Sequence, residues 1–184
     1  MGGHSIVDHY TYAIISDGDL MEGVSHEAAS LAGHLGLGKL IYLYDSNKIS
    51  IEGSTDLAFT EDVSKRFDAY DWHVVEIDGH DHDQISSAIE EAQNVTDKPS
   101  LVVCKTKIGF GSPNKEGKES SHGSPLGSDE IKLTKEAYGW DPDKSFYIPD
   151  EALEVFRNSV TEGAKAEATW KKKWYDLCGV IADR

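Results

Sequence analysis

The chain has 184 residues, 39% hydrophobic and 9% aromatic, which suits one globular domain, or one domain with an appended tail. Its formal charge of -15 makes nucleic acid and anionic membrane poor partners, while a divalent cation is compatible with it. No apolar run approaches the roughly 20 residues of a membrane span. "MGGHSIVDHYTY" lacks a signal-peptide core, and Cys104 and Cys178 show neither metal nor disulfide spacing, so a reducing cytoplasm is the expected compartment.

In chain order, "YTYAIIS" (Tyr10 to Ser16) reads as a short buried strand, and "DGDLMEG" as a turn. Val24 to Leu35 carries apolar residues at helical spacing, with Val24, Ala28, Leu31, Ala32 and Leu35 expected on the packed face. "GLGK" ends that helix, and "LIYLYD" (Leu40 to Asp45) is a continuous apolar strand of the parallel-sheet kind. Glu61 to Ala69 then reads as a helix, "WHVVEI" as a strand, Asp83 to Gln93 as a helix and "SLVVCKT" (Ser100 to Thr106) as a strand. The alternation predicts an α/β fold, a doubly wound, mainly parallel sheet with helices on both faces. From Ser128 the chain becomes polar and helical, and "IPDEALEVF" and "WKKKWYDLCGVIADR" read as a capped helix and an amphipathic tail. The expected division is a ligand-binding domain over 1–145 and a helical tail over 146–184.

Ligands of such sheets gather outside the carboxyl ends of the strands. Three segments fall there: "SDGD", "DSNKISIEG" and "KIGFGSPNKEGKESSHG". Asp17 and Asn47 lie 30 positions apart, one strand-helix-strand unit, so adjacent parallel strands would bring both to one crevice. A carboxylate, an amide oxygen and a backbone carbonyl suit Mg²⁺ or Ca²⁺ rather than zinc, with phosphate and water oxygens completing the shell. Gly18 lets the backbone approach a phosphate, and the following helix offers its N-terminus. Two readings stay open on spacing alone: a metal-bridged diphosphate site, or two turns that cap strands. Short motifs recur by chance, which favours the turns.

The stretch "SDGDLMEGVSHEAASLAGHLGLGKLIYLYDSNKISIEG" resembles the thiamine-diphosphate motif in its transketolase form. "FDAYDWHVVEIDGHD", "DKPSLVVCKTKIGFGSPNKEGK" and "SHGSPLG" follow in the family's order, and the likeness runs from about Ile6 to about Phe156. Ser16 stands where the motif usually has its first Gly. The resemblance implies a metal held by Asp17, Asn47 and the Ile49 carbonyl, and a diphosphate contacted by Gly18 and Asn47. It also implies Ile108 packed on the cofactor and His122 aimed at the diphosphate and reaction centre. Glu22 and Glu27 match acidic residues that face the partner subunit, Glu22 among the cofactor-binding set. The implied cofactors are thiamine diphosphate and Mg²⁺ or Ca²⁺. The implied activity is transfer of a two-carbon ketol unit between sugar phosphates, in a homo-oligomer.

The family's pyrimidine-binding domain, with the glutamate that activates the cofactor, has no counterpart in these residues. The expectation is a diphosphate half-site that is inactive alone. Deoxyxylulose-phosphate synthase, a dehydrogenase E1 component and a non-catalytic interaction domain share parts of the pattern; "IGFGSPN" and "HGSPLG" favour transketolase.

Other residues attract blander readings. His80 and His82 in "DGHDHD" mimic metal spacing but read as a turn and helix cap. His4, His9, His26 and His34 read as structural or surface groups. Lys105, Lys107, Lys115 and Lys118 make one strand-end loop basic and are candidates to receive a phosphate. Trp170, Trp174 and Tyr175 read as a packing face rather than a base-stacking one.

Overall fold

The structure, a computed structural model, describes residues 5–182. In chain order its elements begin with strand β1 (Thr11–Ser16), helices α1 (Asp17–Met21) and α2 (Gly23–His34), and strand β2 (Leu40–Ser46). A small hairpin of β3 (Ile49–Ser50) and β4 (Gly53–Ser54) follows, then α3 (Val63–Ala69), β5 (His73–Asp78), α4 (His82–Asn94) and β6 (Ser100–Lys105). The chain continues through α5 (Ser128–Ala137) to α6 (Asp150–Ala182).

The β1, β2, β6 and β5 strands pair in that order, every pair parallel. On one face Leu20, Ala29, Ala32, Val63 and Phe67 from α1, α2 and α3, with Trp72 just before β5, pack over Tyr44, Leu101 and Val103. On the other, Ala88 and Ala92 of α4 cover Ile41, Ile77 and Val102. Helices therefore cover both faces, as the alternation predicts. The chain steps outward from β2 to β5 across one face and returns to β6 across the other, which gives the crossovers one common hand. β6 lies inside the sheet with Ser100 to Cys104 buried, which explains its uninterrupted apolar run.

Two compact units divide the chain: Tyr10–Pro142, which contains the sheet, and a second joining the segment before Tyr10 to the residues from Asp143 onward. In the second unit the two expected helical segments are one continuous helix of 33 residues. Its Trp170 stacks on Trp174, ring centroids 5.7 Å apart, and donates its indole N–H to the carbonyl of Ile6 at 2.9 Å. Trp170, Trp174 and Tyr175 are nonetheless 43%, 43% and 69% exposed, so the expected packing face is not buried among the described residues.

Local details correct the reading. "DGDLM" is helix α1 rather than a turn, because Ser16 caps it. The Ser16 Oγ accepts the Asp19 N–H at 3.4 Å, and the Asp19 carboxylate accepts the Ser16 N–H at 2.8 Å. Of the expected packed face of α2, Ala32 alone is buried. Val24, Leu31 and Leu35 are 69%, 56% and 58% exposed, whereas Ala29, Ala32 and Gly33 are buried. Close approach explains the choice: a Cβ on Gly33 would sit 1.8 Å from the Tyr70 carbonyl oxygen. The helix lies so near the residues after α3 that small side chains alone fit, and the larger ones face away. The buried Trp72 fastens this layer by donating its indole N–H to the Ala29 carbonyl at 2.8 Å.

Gly33→Ala should therefore cost about 1–3 kcal/mol through overpacking, while Gly23→Ala, with nothing within 4 Å of the added methyl, should stay within about 0.5 kcal/mol of the parent. Urea unfolding of the two variants beside the parent checks the contrast.

Candidate functional site

Strand register builds the site. Ser16 pairs with Asp45, and Ser46 with Lys105, so the chain leaves β1, β2 and β6 at neighbouring points. Asp17, Gly18, Asn47, Ile49, Glu52 and His122 line one cavity of about 410 Å³ at these strand ends. The structure thus brings together five of the residues singled out from sequence, from three separate segments. Glu22 and Ile108 are not among the lining residues. Glu22 is exposed and stands at the N-cap of α2, and Ile108 is half-buried, its carbonyl accepting the Gly117 N–H at 2.7 Å. Glu27 is exposed on α2.

Asp17 is the pivotal group. It is 3% exposed, its Oδ1 accepts the Tyr44 hydroxyl, and its Oδ2 is buried without a hydrogen-bond partner among the described residues. Burial pushes its carboxyl up from the ordinary 3.8, against the Tyr44 hydrogen bond and the charge of Lys48. Below 3.8 the fold carries no penalty from this group; the penalty grows as the pH rises toward the raised value. A buried oxygen left bare is costly unless something outside the chain occupies it. A cation beside Oδ2 would offset that cost. Burial and then the adjoining Asp17 carboxylate push the Tyr44 phenol well above its ordinary 10.0.

Asn47 is held as firmly. Its Oδ1 accepts the Ile49 N–H at 2.9 Å and its Nδ2 donates to Asp45 Oδ2 at 3.1 Å. Asp45 Oδ1 in turn accepts the Thr106 hydroxyl from the end of β6. The amide oxygen is thereby turned away from Asp45, toward Ile49 and the cavity wall. Lys48, between them, takes a left-handed φ of 63°, which reverses the chain into the β3–β4 hairpin and places Ile49 beside Asn47. Carboxylate, amide and backbone oxygens are hard donors for Mg²⁺ or Ca²⁺. Gly18 serves the cavity rather than the backbone: an added Cβ would meet nothing closer than the Ser16 Oγ at 3.8 Å.

His122 is exposed and ends the 3-10 turn Glu119–Ser121, with its N–H bonded to the Glu119 carbonyl at 2.8 Å. The loop that delivers it hangs on the buried Glu130 of α5. Glu130 accepts the Ser112 hydroxyl, the Asn114 N–H at 2.8 Å and the Asn114 side-chain amide at 2.9 Å. Ser121 then ties to the Lys115 carbonyl at 2.8 Å. Gly111, at φ 79°, lets the Tyr138 ring lie where a Cβ would come within 2.6 Å of it.

Other candidates resolve locally. Asp81, between His80 and His82, caps α4 by accepting from Asp83 and Gln84. His80 stacks on Phe110 at 3.7 Å and accepts the Lys107 N–H at 3.0 Å. Lys105, Lys107 and Lys118 are engaged by Glu76, Glu116 and the Asn114 carbonyl, at 2.8, 3.0 and 2.7 Å. His26 meets the Tyr70 hydroxyl at 3.2 Å, His34 lies in the last turn of α2, His9 is exposed, and His4 lies outside the described residues. Sequence reasoning missed Tyr44, Asp45, Thr106 and Glu130. A tyrosine inside a run of apolar strand residues was the available clue, since a buried phenol requires a partner.

A parallel sheet with helices on both faces and oxygen donors converging at its strand ends defines an α/β domain of the kind that takes its ligands outside the carboxyl ends of the strands. Comparison with known proteins makes this specific. The family model described as "Transketolase, thiamine diphosphate binding domain" matches residues 1–182. The chain is 57% identical over 171 residues to transketolase from Halalkalibacterium halodurans, covering 92% of this chain and 26% of that protein. Among solved structures, Leishmania mexicana transketolase superposes with a TM-score of 0.89 at 42% identity, over 98% of this chain and 27% of that one. Pichia stipitis transketolase in complex with sedoheptulose-7-phosphate gives 0.88 at 47%, over 97% and 26%. The chain belongs to the transketolase family, to its thiamine diphosphate binding domain. It spans about a quarter of the length of the relatives it matches.

The hydrogen bonds of Ser112 and Asn114 hold the Glu130 carboxyl below its ordinary 4.5. Its contribution to stability is present above 4.5 and is lost as the pH falls through the lowered value. Glu130→Gln should melt below the parent at neutral pH, and the two melting temperatures should converge in acid, where the parent's Glu130 is protonated. Melts across the pH range test this.

Proposed function

We propose that this chain is the metal- and diphosphate-binding half of a transketolase, one that transfers a two-carbon ketol unit between ketose and aldose phosphates once a pyrimidine-binding domain or subunit completes it. The observation that carries the reading is the buried, unpartnered Oδ2 of Asp17 in the same cavity as Asn47 and Ile49.

The residues fit a hard cation and a diphosphate. Asp17 Oδ2, Asn47 Oδ1 and the Ile49 carbonyl would hold Mg²⁺ or Ca²⁺, leaving positions for phosphate and water oxygens. Gly18 keeps the wall bare where the diphosphate would lie, with Asn47 opposite. Thiamine diphosphate, when bound, supplies the carbanion chemistry that breaks and remakes the sugar's C–C bond. Ile108 would pack on it, and Glu22 and Glu27 would face the partner subunit. His122, exposed at the cavity, would polarise the sugar's oxygen or carry its proton, since an imidazole can both donate and accept a hydrogen bond. The chain's own part is to anchor, orient and exchange protons, so it has no turnover alone.

Sugar phosphates as substrates and assembly with further copies follow from the same reading; the Pichia stipitis relative in complex with sedoheptulose-7-phosphate supports the substrate class. The outward apolar residues Val24, Leu31 and Leu35 support association. The cytoplasm is the compartment in which such substrates and free thiols coexist.

Thermal melting with thiamine diphosphate and Mg²⁺ tests the site. A free concentration ten times Kd should stabilise the parent by about 1.4 kcal/mol, and Asp17→Ala should abolish the shift. An unshifted parent, or a shift that survives in the variant, counts against the reading.

A further inference from the structure

Tyr44 was given no role among the residues that introduced the site, yet it touches the site's central group. It is 1% exposed, and its ring is locked in the core formed by Leu20, Phe59, Phe67, Leu101 and Val103. Its hydroxyl donates to Asp17 Oδ1, and Oδ2 of the same carboxylate is left buried and unpaired. Resting on the metal-binding reading of Asp17, we infer that Tyr44 is a positioning residue: it pins one carboxylate oxygen against the core so that the other is presented to the cation.

The physical argument concerns a soft torsion. An aspartate's terminal torsion is broad, so without a fixed partner the carboxylate can swing or exchange its oxygens. A phenol has one proton to give, and the packed ring fixes where that proton points. The donor consequently selects Oδ1 and leaves Oδ2 as the free ligand. The second side-chain ligand is arranged in the same way. Asp45, next to Tyr44 on β2, holds Asn47 through Nδ2 and is itself held by Thr106. Adjacent residues of one strand, facing opposite ways, thus orient the two side-chain ligands. Partners of this kind are typically worth 10–100-fold in metal affinity.

The experiment titrates Mg²⁺ at fixed thiamine diphosphate into the full chain and into Tyr44→Phe, Val102→Ala and Asp17→Ala, by calorimetry with melts alongside. Tyr44→Phe keeps the ring and removes the hydroxyl. Val102→Ala loosens the opposite core and reports what destabilisation alone does to the titration. The expected result is a Mg²⁺ midpoint raised about tenfold in Tyr44→Phe and unmoved in Val102→Ala. If Tyr44→Phe melts lower yet titrates like the parent, or shifts no further than Val102→Ala, the residue is structural and the inference is overturned. A parent without Mg²⁺-dependent binding, or an Asp17→Ala variant that retains it, overturns the metal site itself and the inference with it.

Discussion

Parallel pairing obliges every strand of the sheet to end on the same side, and the site is a consequence of that constraint. β2 runs between β1 and β6 with Ser16 level with Asp45 and Ser46 level with Lys105. A shift of one residue in the β1–β2 pairing would turn side chains to the opposite face and separate Asp17 from Tyr44. The register is fixed by burial: Ile41 and Val102 face α4, while Tyr44, Leu101 and Val103 face the other helices. The hydrophobic pattern that folds the sheet therefore also sets the geometry of its polar end.

The side chains at the polar end are tied in two sets: Asp17 is held by Tyr44, and Asn47 by Asp45, which is itself held by Thr106. In a region of low dielectric such a network is rigid when satisfied and costly where it is not. One buried oxygen of Asp17 remains unsatisfied, at the cavity that the sequence motifs define. Stability given up there is the usual mark of a site prepared for a ligand.

His122 reaches the same cavity by a different route. Its loop lacks regular structure and depends on the Glu130 bonds and on a left-handed Gly111. Asp17 and Asn47 sit just beyond the ends of β1 and β2, whereas the exposed imidazole sits on a loop fastened at a few points. This division suits anchoring at one wall of the cavity and proton exchange at the other.

The sequence by itself determined the α/β class and the order of the principal strands and helices, and it singled out Asp17, Gly18, Asn47, Ile49 and His122, which the fold brings to one cavity. Alternating apolar runs and ordered motifs are local, and local patterns survive in one dimension. The exposed face of α2 was not legible, because amphipathic spacing identifies apolar residues without saying which of them a neighbour can approach. Gly33 against the Tyr70 carbonyl settled that in three dimensions. The capping of α1 by Ser16 was written in the sequence as a Ser-x-x-Asp pattern but was obscured by its turn-like Asp-Gly. The roles of Tyr44, Thr106 and Glu130 were decided by tertiary structure, because each bonds a residue distant from it in sequence, and only the folded register decides which polar group meets which.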